Sequence, residues 1–311
     1  MKLVRFQSSA GPRLGLIDGK SIVDPSYRND PVFADTLAFI RSGEHGRALA
    51  AQAIKEAPAS ARVPLDRAKL LAPLVPSTIL ASGSNYVEHN AEKSNTPISG
   101  KEPEFFVKTA DSVIGPEEPI IHDERLSKKI DCETELAVVI GKAGRFIPVE
   151  RALDHVFGYT IVNDVTARDR QVRQKDGVTW YELGRGKAFD SSAPLGPCIV
   201  TADEIGDPQN LRLMTRINGE LRQSSNTSRM IWNCAQLVHF FSTNFTLKPG
   251  MVIITGTPSG TAWSVDKELG GKYTPQPGMV AATRYCLPGD VVESEIEKIG
   301  ILRNPIKAYA A

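Results

Sequence analysis

Short apolar runs of strand length, separated by glycine and proline, dominate the pattern along most of the chain. Beyond residue 70, four such runs cover residues 77–81, 136–140, 155–162 and 251–254. Residues 211–217 alternate between apolar and polar side chains and lead into Asn218-Gly219, a pair favoured in two-residue hairpin turns. A clear helical spacing of apolar residues is confined to residues 229–244 in this part of the chain. The pattern predicts a β-rich α+β fold with few helices.

The first 70 residues carry a different pattern. Two strand-like runs, KLVRFQ and RLGLIDG, flank a Gly-Pro turn, and an alanine-rich helical pattern covers residues 35–57. Pro58 ends this helix, because a helix interior rarely tolerates proline. A proline-bearing stretch of linker character follows. We therefore expect a smaller N-terminal α+β domain over residues 1–70 and a larger domain over residues 71–311.

Composition and charge narrow the class of protein. The 311 residues are 41% hydrophobic and 23% charged, and 37 Lys and Arg oppose 36 Asp and Glu, for a net charge of +1. This balance lacks the basic field typical of nucleic-acid binders. No apolar run approaches the ~18 residues that a membrane span needs, and the four cysteines share no C-x-x-C spacing. We expect a soluble cytoplasmic protein with neither a nucleic-acid partner nor a membrane partner.

Carboxylates mark two of the predicted strands. Glu133 and Glu135 open the apolar run at 136–140, and alternation places both on one face, roughly 7 Å apart. A second predicted strand, VFGYTIVND, ends in Asp164. Hard cations such as Mg²⁺ take carboxylate oxygens and neutralise charges held beside a buried strand. An isolated Glu-x-Glu pair in a strand is usually a solvated face, and the third carboxylate, Asp164, is what favours a metal site here.

Three further segments hold candidate chemistry. If residues 85–92 are helical, His89 and Glu92 stand at i and i+3, where a carboxylate can orient an imidazole as a base. Lys187 and Thr257 lie in glycine-bounded loops, which let backbone approach a ligand. A surface His–Glu contact and ordinary turns are the alternatives.

Together these segments resemble the fumarylacetoacetate hydrolase family over residues 77–305. The resemblance is carried by GSNYVEHNAE, EFFVKTADSVIGP, DCETELAVVIGK, GYTIVNDVTARDRQ, GRGKAFDSSAPLGP, INGELRQSSNT, TLKPGMVIITGTPSG and LPGDVVESEIEKIG. It implies a mixed β-sandwich roll and a homodimer. Two departures are a long stretch between Gly260 and Leu287 and Cys132 at a position where an aromatic residue is expected. By strand alternation, Cys132 faces away from the carboxylates and packs in the core.

The resemblance also implies roles for individual residues. The family's divalent metal, Mg²⁺ with Mn²⁺ or Ca²⁺ as alternatives, falls on Glu133, Glu135 and Asp164. The catalytic residues implied are His89 and Glu92, which activate water, and Lys187, which stabilises developing negative charge. Substrate contacts fall on Arg168, Gln171 and Thr257.

The activity implied first is metal-dependent hydrolysis of a carbon–carbon bond in a 2,4-dioxo acid or acylpyruvate, through a metal-stabilised enolate. The alternatives within the family are a decarboxylase or isomerase of a related oxo acid, of oxaloacetate or 2-hydroxyhepta-2,4-dienedioate type. A serine hydrolase is a distant alternative, because the run around Ser259 lacks the G-x-S-x-G elbow. A non-catalytic metal-binding protein is the other.

Overall fold

The chain folds mainly into strands, which a computed structural model describes over residues 1–92, 102–272 and 275–310. The strands, in chain order, are β1 (Lys2–Ser8), β2 (Gly11–Asp18), β3 (Ser21–Val23), β4 (Arg62–Pro64), β5 (Leu70–Leu71), β6 (Ile79–Gly83), β7 (Glu104–Lys108), β8 (Val113–Ile114), β9 (Ile120–His122), β10 (Ile130–Asp131), β11 (Thr134–Ile140), β12 (Val156–Asn163), β13 (Thr166–Ala167), β14 (Val172–Lys175), β15 (Val178–Tyr181), β16 (Ala193–Thr201), β17 (Arg212–Ile217), β18 (Glu220–Asn226), β19 (Val252–Ile254), β20 (Val291–Ile296) and β21 (Gly300–Ala308). The α-helices are α1 (Thr36–Glu56), α2 (Val87–Ala91), α3 (Arg168–Gln171), α4 (Leu183–Lys187), α5 (Ala202–Ile205) and α6 (Cys234–Asn244).

A large mixed sheet forms the centre of the fold. Its strand order is β4-β3-β2-β1-β16-β12-β11-β19-β6-β7, with β5 on β1 and β8 on β16. Most neighbours are antiparallel, whereas β19 and β6 run parallel. A second sheet has the order β18-β17-β20-β21-β9. The structure thus confirms the β-rich α+β class with a mixed sheet.

The central sheet is buried on both faces, as strand β11 illustrates. Leu136 and Val138 pack into one core with α6 and with strands of the second sheet. Ala137 and Val139 point the other way, into a core that α1 covers. Since side chains alternate along a strand, two apolar faces require an uninterrupted apolar run. This explains why residues 136–140 contain no polar side chain.

The hairpin predicted at Asn218-Gly219 is present between β17 and β18. Asn218 and Gly219 have φ angles of 53° and 81°, as a two-residue turn of the left-handed type requires. The helix predicted over residues 229–244 begins later, at Cys234. Asn233 caps it, with its side chain accepting from the Gln236 main chain while the Gln236 side chain accepts from Asn233. This capping box provides acceptors for main-chain N–H groups that have no partner within the helix, and it thereby sets where the helix starts.

The N-terminal strands belong to the central sheet. Strand β1 pairs with β16 in the register Lys2↔Val200 and Leu3↔Ile199. The helix predicted over residues 35–57 is α1, with Asp35 as its cap. A division at residue 70 into two domains stays a prediction. Within the described ranges, no helix has both the length and the apolar character that a membrane crossing demands.

Candidate active site

Strand register brings the three predicted carboxylates together. Antiparallel pairing of β11 with β12 sets Thr134 opposite Asn163, so the residues flanking that pair become neighbours. The Asp164 main-chain N–H donates to the Glu133 carbonyl at 2.8 Å. One carboxylate oxygen from each of Glu133, Glu135 and Asp164 lies within 4.8 Å of the others, and all three residues are buried.

Cationic side chains surround two of these carboxylates. Lys187 Nζ lies 2.7 Å from Glu133 Oε2 and also donates to Asp164 Oδ2. Arg168 Nη2 donates to Glu133 Oε1. Lys108 Nζ lies 2.7 Å from Asp164 Oδ1. Glu135 has no ion pair among the described residues, and its Oε2 accepts from the Gly256 main chain at 2.7 Å.

The pKa directions follow this distribution of charge. Burial alone would raise the pKa of Glu133, but the charges of Arg168 and Lys187 outweigh it and hold that pKa well below its ordinary value. Burial, with the nearby charges of Asp164 and Glu133, raises the pKa of Glu135 well above its ordinary value. Three buried, converging carboxylates with one left uncompensated form an all-oxygen donor set that fits a hard divalent cation.

A histidine–glutamate pair faces this cluster. Helix α2 carries His89, whose Nδ1 lies 2.9 Å from Oε2 of Glu92, the residue just after the helix. The other carboxylate oxygen, Oε1, accepts from the Gly260 main chain at 2.6 Å. Both side chains are buried. The carboxylate is therefore fixed on two sides and orients the imidazole, as the i, i+3 spacing predicts.

These groups converge on one cavity of about 570 Å³. Its lining includes every predicted site residue except Glu92 and Asp164, which lie behind their neighbours. Glu104 is among the further polar side chains that line it, and the predicted site residues in the lining are His89, Glu133, Glu135, Arg168, Gln171, Lys187 and Thr257. Aromatic side chains, among them Phe105, Phe240 and Trp263, line the remainder. The polar and aromatic zones suit a small anionic substrate with a short organic tail.

The predicted substrate contacts differ in how far their polar groups are already bonded to other protein groups. Arg168 Nη1 donates to Gln171 Oε1 at 2.9 Å, so the two side chains form a unit. The Thr257 hydroxyl donates to the Thr134 carbonyl at 3.1 Å and accepts from Gln223 Nε2 at 2.9 Å. The Thr257 hydroxyl is thus committed to protein partners, and its role as a substrate contact stays a prediction.

Two functional candidates escaped sequence reasoning. Lys108 is fully buried on β7, and its only sequence signal is a charged residue two positions after the buried Phe106, on the same strand face. Asp131 is buried beside Glu133 and accepts from Arg168 Nε at 2.9 Å. The predicted packing role of Cys132 agrees with its position in a small core with Cys286, 3.9 Å away between sulfurs.

The comparisons with known proteins give the family. The family model of the fumarylacetoacetate (FAA) hydrolase C-terminal domain matches residues 78–307. The chain belongs to the fumarylacetoacetate hydrolase family. It is 41% identical over 313 aligned positions to "Oxaloacetate tautomerase fahd2, mitochondrial" from Xenopus laevis, covering 98% of this chain and 90% of the relative.

Solved structures of this family are similar over the full chain. A fumarylacetoacetate hydrolase from psychrophilic Exiguobacterium antarcticum is 34% identical, with a TM-score of 0.78 and coverage of 99% and 100%. A maleylpyruvate hydrolase from Sphingobium sp. SYK-6, in complex with manganese(II) and pyruvate, is 28% identical, with a TM-score of 0.77 and full coverage of both chains. The cytoplasmic location expected from the sequence stays a prediction, since the Xenopus relative is named mitochondrial.

Proposed function

We propose that this protein is a divalent-metal-dependent tautomerase that interconverts the keto and enol forms of a small 2-oxo acid of oxaloacetate type. The observation that carries the proposal is the His89–Glu92 pair beside a buried triad of carboxylates. The extended similarity to a relative named oxaloacetate tautomerase supports the same activity. The proposal replaces hydrolysis, the activity that the sequence favoured first, with one of its alternatives.

Conversion of the keto to the enol form moves a proton from carbon 3 to the oxygen on carbon 2, so the reaction needs a base that accepts the proton at carbon and releases it at oxygen. His89 suits this task, because the Glu92 carboxylate at Nδ1 stabilises the imidazolium that forms when Nε2 accepts a proton. Glu92 stays in place during the transfer, since Gly260 holds its second oxygen.

Charge on the enolate must also be compensated. Glu133, Glu135 and Asp164 would hold a divalent cation, which would supply Lewis-acid compensation of negative charge on a bound oxo acid. Arg168 lines the cavity and binds the substrate carboxylate through N–H groups of its terminal nitrogens. Lys187 holds Glu133 and Asp164 together and adds positive charge beside the reacting atoms.

Hydrolysis of an acylpyruvate is the second candidate. A carboxylate-oriented imidazole can equally accept a proton from water, and the similar maleylpyruvate hydrolase structure contains pyruvate. The two reactions differ in products, because tautomerisation releases nothing, whereas hydrolysis yields pyruvate and a carboxylic acid.

The test starts with metal-stripped protein, reloaded with Mg²⁺ or Mn²⁺ and given freshly dissolved enol-oxaloacetate. We expect the enol absorbance to decay faster than in buffer, without faster release of pyruvate or CO₂. The His89→Gln variant should lose this acceleration while it still binds metal. Accelerated pyruvate and CO₂ release would indicate a decarboxylase instead. Pyruvate formed from an acylpyruvate panel, with no effect on the enol, would establish the hydrolase and overturn the proposal.

A further inference from the structure

Asp131 lies behind the active site and does not line its cavity. It borders a different cavity, of about 240 Å³. Its side chain is buried, and the next residue but one in the chain is the predicted ligand Glu133. A carboxylate in this position cannot touch a substrate in the main cavity. Whatever it contributes to the reaction must pass through the residues that it binds.

The Asp131 carboxylate accepts four N–H donors from three parts of the chain. Oδ2 accepts from Arg168 Nε at 2.9 Å and from the Trp263 main chain at 3.0 Å. Oδ1 accepts from the main-chain N–H groups of Ala262 and Cys132, each at 3.0 Å. An ionised carboxylate has about four lone-pair positions, so this one is fully used.

These bonds fix the orientation of the Arg168 guanidinium. Asp131 takes the Nε edge, Gln171 takes one N–H of Nη1, and Glu133 takes one N–H of Nη2. The Trp263 ring covers the plane, 5.0 Å from its centroid to the guanidinium carbon. Among the residues that the structure describes, no further acceptor binds the second N–H of either terminal nitrogen. Held in this way, the guanidinium keeps one orientation at the cavity wall, and arginine N–H groups are suited to binding a carboxylate.

The same carboxylate fixes the segment that holds the His–Glu pair. Ala262 and Trp263 open a 3₁₀ helix two residues after Gly260, whose N–H donates to Glu92. Gly260 has a φ of 107°, and an added Cβ would lie 1.9 Å from the Arg222 carbonyl. Residue 260 must therefore be glycine, because any side chain would collide with this carbonyl. Since glycine has no side chain to anchor it, the position of its N–H group depends on the contacts of the neighbouring residues.

We propose that Asp131 is a positioning residue, which aligns the Arg168 guanidinium with the Gly260 amide that holds Glu92. One buried carboxylate thereby fixes the Arg168 guanidinium, which binds the substrate carboxylate, relative to the His89–Glu92 pair, which transfers the proton. The identity of the ligand, a carboxylate-bearing 2-oxo acid, rests on the proposed function, whereas the alignment rests on the contacts of Asp131.

The first test measures ligand binding without turnover. Oxalate, a planar mimic of an enolised 2-oxo acid, is titrated calorimetrically into Mn²⁺-loaded wild-type protein and the Asp131→Asn variant. The amide turns one acceptor oxygen into a donor facing N–H groups, so we expect oxalate affinity to fall by about tenfold or more, with unchanged Mn²⁺ affinity. Equal oxalate affinities would overturn the proposal.

Asp290→Asn is the matched control. Asp290 is also buried, and its carboxylate also binds an arginine, Arg284, and a main-chain N–H, that of Leu287. It lines the smaller cavity and is not among the described residues that line the main one. Oxalate affinity should stay at the wild-type value in this variant. An equal loss in both variants would mean a general structural effect and would contradict positioning by Asp131.

A double-mutant cycle asks whether Asp131 acts through Arg168. Arg168→Lys removes the Nε edge, so adding Asp131→Asn to it should weaken oxalate binding little further. If the losses of oxalate-binding free energy in the two single variants added in full in the double variant, Asp131 would not act through Arg168.

Ala262→Pro keeps the proposal testable if Asp131→Asn does not fold. It removes one N–H donor to Asp131 at the start of a 3₁₀ helix, and Thr261, with φ −66° and ψ 158°, already has a backbone suited to precede proline. Arg168 retains its partner, so oxalate affinity should persist while the turnover number falls. Unchanged turnover would contradict the link to Glu92.

If the wild-type protein turned over no 2-oxo acid, yet Asp131→Asn still weakened oxalate binding, the proposed function would fail and the role of Asp131 would stand.

Discussion

Lys187 Nζ and Glu133 Oε2 lie 2.7 Å apart, and both side chains are almost entirely shielded from water. Such a pair must be satisfied on all sides, because a buried charge without partners is costly. Arg168 and Asp164 complete the set of contacts. The site is therefore charged before any ligand arrives, and its one uncompensated carboxylate, Glu135, has no ion pair within the ranges that the structure describes.

Replacing Glu135 should separate metal binding from stability. Glu135→Gln removes one of three anionic ligands, so Mg²⁺ and Mn²⁺ affinity should fall by at least about tenfold in calorimetric titrations. The metal-free variant should be no less stable than wild type at pH 7. A raised pKa means that the fold disfavours the charged form, and this penalty grows as pH rises above the unfolded value.

Glu104→Gln is the control for this experiment, because Glu104 lines the same cavity outside the triad. It should leave metal affinity intact. Wild-type metal affinity in Glu135→Gln would remove that residue from the ligand set.

Replacing His89 should affect turnover alone. His89→Gln removes the base, and we expect turnover to fall by about 10²- to 10⁴-fold with unchanged metal affinity. Steady-state kinetics of enol decay, beside a metal titration, measures both quantities. His155→Gln, at a histidine outside the cavity that contacts the Lys142 carbonyl, should behave as wild type. Full activity in His89→Gln would assign proton transfer to another group.

Lys108 should prove necessary for stability. Lys108→Met leaves Asp164 Oδ1 and the Lys187 carbonyl without the buried ammonium that binds them. We expect the free energy of unfolding to fall by about 2–4 kcal/mol, since one partner of a buried pair is lost. Urea unfolding followed by circular dichroism tests this. Lys20→Met, at an exposed lysine, is the control. If Lys108→Met lost less unfolding free energy than this control, Lys108 would not stabilise the fold.

Asp290 should contribute stability that depends on pH. Its hydrogen bonds from Arg284, opposed by burial and helped by the Leu287 main chain, lower its pKa from 3.8 to about 2. A lowered pKa stabilises the fold above the unfolded value, and this stability disappears as pH falls through about 2. Asp290→Asn should cost about 1–2 kcal/mol at pH 7. In urea unfolding, a difference from wild type that persists at pH 2 would contradict this origin.

Local patterns in the sequence predicted the features that depend on neighbouring residues. Strand β11, the Asn218-Gly219 hairpin and the His89–Glu92 contact all follow from spacings of a few residues. Asp131 could not be assigned in this way, because its contact with Ala262 joins positions 131 residues apart. Lys108 and Asp164 are 56 residues apart. Such contacts arise from sheet order and loop packing, which single-sequence periodicity does not contain.

The pairing of β1 with β16 has a practical consequence for anyone who divides this chain. A fragment starting at residue 71 would keep every predicted site residue but lose β1, which pairs with Ile199 and Val200 near the end of β16. Unpaired N–H and C=O groups along an apolar strand recruit other chains. Such a fragment should aggregate rather than work as a minimal enzyme. The N-terminal strands therefore protect the sheet that supports catalysis from pairing with other chains.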